Sequence, residues 1–328
     1  MKCIKKNNHL ITLITTALLL VGCEKEITVD IPDAQQQIVV EGSIETNQPP
    51  FILLTKSQSY FAPTDINSIT NNYVHDAIIT INDGSQTIIL DELCTASLTP
   101  EILLLVQAVT GLSEDQLIAL NLCFYSSFNP SSFGVEGKTY ELDIVSGENH
   151  LTSITKINPA IPLDSVWFEL SGDNDSLGFA HGFLTDPDTL GNVYRWFAQR
   201  INKYPSGNPL EGQIKDPSFL APIGSINDDE FFNGLSFEFL YNRGVSFNST
   251  KEDDNNGERG YFKVGDTIVV KEATLDYDAF QFFYGLENQV INQGSPFAAP
   301  SEINSNIEGG LGVFVGYGVH FDTIICLP

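Results

Sequence analysis

Gly137-Lys138-Thr139-Tyr140-Glu141-Leu142-Asp143-Ile144-Val145 alternates polar and apolar residues with a period of two. Successive side chains of a strand point to opposite faces. This spacing therefore predicts a half-buried strand with Tyr140, Leu142 and Ile144 on one face and Glu141 and Asp143 on the other. On both sides of it the same kind of segment recurs. Residues 38–44 and 51–55 are short runs rich in branched side chains, separated by the turn-forming Asn47-Gln48-Pro49-Pro50. Residues 77–81 and 87–90 flank Asn82-Asp83-Gly84-Ser85, a hairpin signal because Asp-Gly accepts a positive φ. Residues 165–170, 192–198, 235–240 and 265–270 continue the series. Strands at this spacing predict a mainly β fold of two β-sandwich-like domains, the first of them immunoglobulin-like.

Two segments break the β rhythm. Thr99-Pro100-Glu101 supplies a capping hydroxyl, a proline at the first helical position and an acid in the first turn; a helix follows until Gly111. Ser113-Glu114-Asp115 caps a second helix that runs towards Cys123. Residues 93–124 thus read as an α-hairpin inserted between strands, with Cys94 and Cys123 at its feet. Its apolar face either packs on the sandwich or is offered to a partner. Later, Asp276 caps one late helix reaching Asn292, whose Phe280, Phe283, Tyr284 and Val290 form a stripe expected to face the core. The Gly-rich stretch 309–318 alternates with Val, Phe and Tyr, which suits a strand with close backbone approaches and not a phosphate loop. Pro159-Ala160-Ile161-Pro162-Leu163-Asp164 is expected to be an extended linker. The organisation expected is residues 38–158 as the N-terminal sandwich, 159–164 as linker and 165–328 as a C-terminal β-rich domain.

The N-terminus has the parts of an export signal. Lys2, Lys5 and Lys6 precede an apolar run from Leu10 to Val21, which falls short of the roughly 20 residues that span a bilayer core. Leu20-Val21-Gly22-Cys23 closes it as a lipobox, predicting cleavage between Gly22 and Cys23 and acylation of the Cys23 thiol, with residues 23–37 as a tether. Loss of 22 residues from 328 would leave 306; the removed segment has three lysines and no acid, so the formal charge of −26 becomes −29. Such a charge argues against nucleic acid as a partner, since binding there needs a basic surface. It also means that acyl chains, and not charge, must hold the body at a membrane. Cys3 leaves with the signal and Cys23 is acylated, so Cys94, Cys123 and Cys326 remain. Cys94 and Cys123 bracket one compact segment and are expected to pair outside the cytosol, leaving Cys326 as a thiol.

Several stretches, in this order, resemble the large family of Bacteroidetes lipoproteins described as domain of unknown function 4249. They are Cys23-Glu24-Lys25-Glu26-Ile27, Ile38-Val39-Val40-Glu41-Gly42, Leu54-Thr55-Lys56-Ser57-Gln58-Ser59-Tyr60-Phe61 and the strand at Asp76 to Gly84. Asn192-Val193-Tyr194-Arg195-Trp196, Gly294-Ser295-Pro296-Phe297 and Ser305 to Gly312 complete the set. The resemblance implies a β-rich exported lipoprotein, often encoded beside a TonB-dependent outer-membrane receptor. It carries over no catalytic residue, and the hairpin looks like a variant insertion. Lys25-Glu26 also resembles the surface-export signals of such lipoproteins, which implies the cell surface over the periplasmic face.

Catalytic patterns are sparse. Gly-x-Ser-x-Gly and His-Glu-x-x-His are absent, and His75, His150, His181 and His320 are widely spaced. Asp173-Asn174-Asp175, Asp186-Pro187-Asp188 and Glu252 to Gly257 read as solvated turns; in the last, Lys263 stands where a calcium loop needs a bidentate Glu. The expectation is no catalytic residue, no metal and no cofactor. The function expected is an outer-membrane, lipid-anchored, non-enzymatic binding or accessory subunit beside a TonB-dependent receptor in nutrient uptake. A structural or adhesive surface module is the alternative, and a secreted hydrolase the third reading.

Overall fold

In a computed structural model of the chain, residues 35–58, 72–110, 112–172, 174–208, 211–244, 258–292 and 303–328 are described. The segment expected to be an export signal, Gly22, Cys23, the expected tether to residue 34 and the acidic stretch 252–257 lie outside them. Fifteen strands follow in chain order: β1 (Ile38–Glu45), β2 (Phe51–Lys56), β3 (Ile78–Asn82), β4 (Thr87–Cys94), β5 (Cys123–Ser126), β6 (Thr139–Ser146) and β7 (Asn149–Lys156) in the first half. The second half adds β8 (Ser165–Leu170), β9 (Leu177–Thr185), β10 (Val193–Arg200), β11 (Ile226–Asp228), β12 (Ser236–Tyr241), β13 (Phe262–Lys263), β14 (Thr267–Thr274) and β15 (Leu311–Ile325). Helices α1 (Pro100–Thr110), α2 (Glu114–Leu120) and α3 (Tyr277–Ile291) complete the mainly β fold. Among the described residues no helix is long and apolar enough to cross a membrane.

Alternation builds the first lobe. Tyr140, Leu142 and Ile144 of β6 are buried, as are Val40 and Ile44 of β1, Ile52 and Leu54 of β2 and Ile79 and Ile81 of β3. These side chains share one core with Leu151 and Phe314. The strands order as β15-β1-β2-β5-β4-β3-β6-β7, and the sheet curls until β7 returns beside the segment leading into β15, bridged at Thr152 and Glu308. The result is sandwich-like. Strand β2 is apolar on both faces because its outer side, Phe51 and Leu53, lies under the α-hairpin with Phe124, Leu103, Val106 and Leu117. The hairpin therefore packs on the sandwich, and Cys94 and Cys123, cross-strand partners in β4 and β5, are joined by a disulfide.

In the second lobe a smaller sheet of β8, β9, β12 and β13 covers one face of β10 and β14. Trp196, Phe262, Ile268 and Val270 are buried between them, each side chain contributing roughly 1.5–3 kcal/mol by leaving water. The opposite face of β10, β14 and β15 is covered by α3, through Ala279 and Phe280 against Val193, Ala273 and Leu275. Asp276 caps this helix, accepting from the Ala279 amide. Phe280 and Phe283 face the core, but Tyr284 and Val290 are about half exposed: only the first half of the helix lies over the sheet, so the predicted stripe is buried only in part.

The expected boundary at 159–164 needs correction. The two lobes have separate cores, yet residues 36–328 form one compact unit because an eleven-stranded sheet runs through both. Strand β15 is the join: Leu311–Tyr317 pairs in parallel with β1, and Gly318–Ile325 pairs antiparallel with β14. The connecting chain is not a free spacer. Thr274 donates its hydroxyl to the carbonyls of Asn158 and Pro159, Asn158 donates to the Leu275 carbonyl, and Leu163 is buried. It crosses directly over β15, where a Cβ on Gly318 would lie 1.8 Å from the Asn158 carbonyl oxygen.

Two stability tests follow from this packing. Gly318→Ala forces main chain apart on both sides of the crossing and is expected to cost about 3 kcal/mol or more in chemical denaturation. Replacing Cys94 and Cys123 together by Ala frees the loop they close and is expected to cost roughly 3 kcal/mol, read as a lower denaturation midpoint.

Candidate functional site

A cleft lies where the first lobe meets α3. Its floor is the outward face of the β6–β7 hairpin, Glu141 and Asp143 on one strand and Thr152 and Ile154 on the other. Its walls are the first turns of α3, with Asp278 and Gln281, and residues 304–308. It encloses about 510 Å³.

Residues 304–308 stay in place because their side chains imitate a strand. Asn306 donates to the Phe314 carbonyl at 2.8 Å and accepts from the Phe314 amide at 2.9 Å. Ser305 donates to the Gly312 carbonyl, and Ser153 of β7 donates to the Asn306 carbonyl. Glu308 exchanges backbone hydrogen bonds with Thr152 and accepts from its hydroxyl. The cleft is thus lined by the carboxyls of Glu141, Asp143, Asp278 and Glu308 beside the amides of Gln281 and Asn304. His150 approaches the Asp143 carboxyl at 2.6 Å from the edge of the same hairpin. Chemically, such a lining suits a ligand rich in hydroxyl or ammonium donors. The two nearby serines are already engaged with main-chain carbonyls.

The four histidines singled out by sequence are not brought together; each sits beside its own carboxylate. His75 pairs with Glu92, His150 with Asp143, His181 with Glu238, and His320 lies 3.6 Å from Asp322. Among the described residues one potential metal group emerges, His75, Glu92, Cys94 and Cys123. Its two sulfurs are joined to each other and are not thiolates, so two of the four ligands are lost. Burial works against ionisation of Glu92, but bonds from the Asp76 amide, His75 and Tyr125 outweigh it and hold the carboxyl below its ordinary range. Cys326 is a buried thiol that burial, with Asp266 beside it, pushes up to about 12.

Among the described residues, the turns at 174–177 and 186–192 are held by hydrogen bonds. Asn174 accepts from the amides of Ser176 and Leu177, closing a turn. Asp186 is buried and accepts from the Tyr194 hydroxyl and the Gly234 amide, tying the 186–192 loop to the 229–235 loop. Asp229 completes the tie through the amides of Gly191 and Asn192.

Two buried polar features escape any sequence pattern. Arg200 makes a bidentate pair with Asp216 at 2.8 and 2.9 Å, and Arg243 adds a third contact at 3.2 Å. The one signal is that Arg200 stands on the apolar parity of β10, after Tyr194, Trp196 and Ala198. Glu272 is fully buried between the sheets, directly across from Trp196, with the phenols of Tyr194 and Tyr241 near it. Its Oε2 and the Trp196 indole nitrogen have no hydrogen-bond partner. Burial pushes the Glu272 carboxyl up to about 8, so it is neutral at pH 7.

The comparisons with known proteins come to three findings. A match to the family described as Domain of unknown function (DUF4249) spans residues 24–322. A comparison with curated proteins finds no match. Among solved structures, the chain is similar to a cycloalternan-degrading enzyme from Trueperella pyogenes in complex with cycloalternan, at 9% identity over 86% of this chain and 34% of that one. The chain spans about a third of that enzyme's length, and the TM-score of 0.22 lends no argument on fold or activity.

Glu272 generates a test with a definite sign. Its carboxyl titrates near the ordinary 4.5 when unfolded and near 8 when folded, so the folded state holds the extra proton between those values. Its contribution to stability is complete below about pH 4.5 and is lost as pH rises to about 8. Glu272→Gln is expected to flatten that fall, raising the melting temperature at pH 8 relative to the parent; equal slopes in both proteins would contradict the assignment.

Proposed function

We propose, from the premise that the chain belongs to the family of domain of unknown function 4249, that it is a lipid-anchored outer-membrane protein acting as a non-enzymatic binding or accessory subunit. Its partner is a TonB-dependent receptor, and its role is in nutrient uptake at the cell surface. The observation that carries the reading is the lipobox Leu20-Val21-Gly22-Cys23 followed by a short tether into β1. The Cys94–Cys123 disulfide supports an exported body, since such bonds persist outside the reducing cytosol. The acceptor-lined cleft supports capture of a polar ligand over an apolar one.

A second reading, a secreted hydrolase, draws support from the four carboxyls around that cleft. It requires a glycan or peptide to be cleaved by the purified protein and the activity to vanish in Glu141→Gln or Asp143→Asn.

The first reading predicts that Cys23→Ala abolishes incorporation of labelled fatty acid and shifts the protein from the membrane to the soluble fraction. It also predicts that the tagged parent, extracted in mild detergent, recovers an outer-membrane receptor. Unchanged membrane retention of Cys23→Ala, or recovery of no receptor, would count against it.

A further inference from the structure

The α-hairpin shows two apolar sides. Leu103, Val106 and Leu117 are buried against β2 and β5, but Leu104 and Leu105 of α1 are 65% and 43% exposed and Ile118 of α2 is 46% exposed. The fold does not need the outer three for its own core. Strand register sets where the hairpin is rooted. Cys94 pairs with Cys123, and β5 runs from there to Tyr125 and Ser126, which pair with Ile52 and Phe51. Cys123 therefore stands at the Leu54 level of β2, and Leu54 pairs with Val40, two residues into β1. The feet of the hairpin lie at the end of the lobe where the chain enters from its N-terminal segment, and its body runs along the outer face of β2.

We infer that the outer apolar side of the α-hairpin, Leu104, Leu105 and Ile118, rests on the lipid surface that holds the protein. The inference rests on the lipid-anchored reading of Cys23. Fifteen residues separate Cys23 from Ile38, a span of at most about 50 Å even when fully extended. An acyl anchor on Cys23 thus joins the body at the end where the hairpin has its feet, and gives that end the shorter path to the bilayer. Apolar side chains held there gain by leaving water for the headgroup–acyl boundary. Charge selects the kind of lipid: the hairpin carries Glu101, Glu114 and Asp115 and no basic residue. Neutral zwitterionic headgroups accept it better than anionic ones.

The test uses the full lipidated protein in dioleoylphosphatidylcholine vesicles that contain a spin-labelled lipid as quencher. A nitrobenzoxadiazole label is placed at Leu105→Cys or, as a control, at Ser85→Cys in the β3–β4 turn; buried Cys326 stays unlabelled. Ser85 lies at the other end of β4, some 25 Å along an eight-residue strand. The expected result is strong quenching at position 105 and little at 85, with loss of the difference in a Leu104→Ser, Ile118→Ser background that still floats with the vesicles. Quenching should weaken when phosphatidylglycerol replaces part of the phosphatidylcholine. Absence of quenching at 105 in protein that floats with the vesicles overturns the inference and leaves the anchor standing. Failure to float overturns the anchored reading itself. Concentration-dependent shielding of the label at 105 without quenching assigns the surface to a second copy and also overturns the inference.

Discussion

Strand β15 has to serve two lobes at once, and the rest of the molecule is arranged around that demand. Its first half pairs with β1 along one edge and its second half with β14 along the other. Between the two pairings the chain passes from the first lobe to the second across its face, close enough that Gly316 and Gly318 leave no room for a Cβ. Side chains at this position would push the connecting main chain off the sheet. The junction is reinforced across β15 by Lys271 of β14, which pairs with Glu45 of β1 at 2.9 Å while its ammonium lies over the rings of Phe197 and Phe219. A largely buried ion pair of this kind adds little net stability, but breaking it by removing one partner leaves an uncompensated charge. It therefore disfavours any other register of the two lobes.

The cleft inherits its shape from the same strand. Asn306 holds the 304–308 wall by bonding both backbone groups of Phe314, and Thr155 of β7 accepts from the Gly316 amide while donating to Asp276, the cap of α3. Floor, wall and helix are thus indexed to two positions in the first half of β15, Phe314 and Gly316. A ligand bound there would meet a wall whose main chain is already held in place, which lowers the cost of ordering it. Burial pulls the Asp276 carboxyl upward in its titration, against the hydrogen bonds from Thr155 and the Ala279 and Lys156 amides.

Strands whose buried faces are purely apolar were legible in the sequence. Tyr140, Leu142 and Ile144 of β6 and the 77–90 hairpin declare themselves through alternation, and the caps of α2 and α3 through Ser113 and Asp276. Strand β7 is hidden because two of its inward positions are Ser153 and Thr155, which face backbone groups of other segments and not a greasy core. Strand β9 is hidden because its inward positions include Gly178 and Gly182, the latter packed against the Phe239 ring. The prolines of 159–164 do keep the chain extended, but extension does not mean separation, and only the pairing of β15 with β1 reveals a shared sheet. The cleft was less legible still. Glu141 and Asp143 read as the solvent face of one strand, and nothing local in Asp278 or Glu308 indicates that residues far apart in sequence would converge on it.

The acidity of the chain acts differently on its inside and its outside. Inside, Asp216 is paired with Arg200 and Arg243, Asp186 and Asp229 accept from uncharged amide and hydroxyl donors, and Glu272 is kept protonated by burial. Outside, the excess of 42 acidic over 16 basic residues has no such relief and sets a field that repels anionic surfaces while gathering cations. On the proposed reading, a body of this charge approaches a membrane only through groups that do not sense the field, acyl chains and apolar side chains. Its polar cleft, in turn, favours a donor-rich or positively charged ligand. The carboxyls that keep the protein off the headgroups are then the same chemical resource that the cleft uses for capture. On that reading, membrane attachment and ligand choice are two consequences of one surface composition, with β15 keeping the cleft in shape.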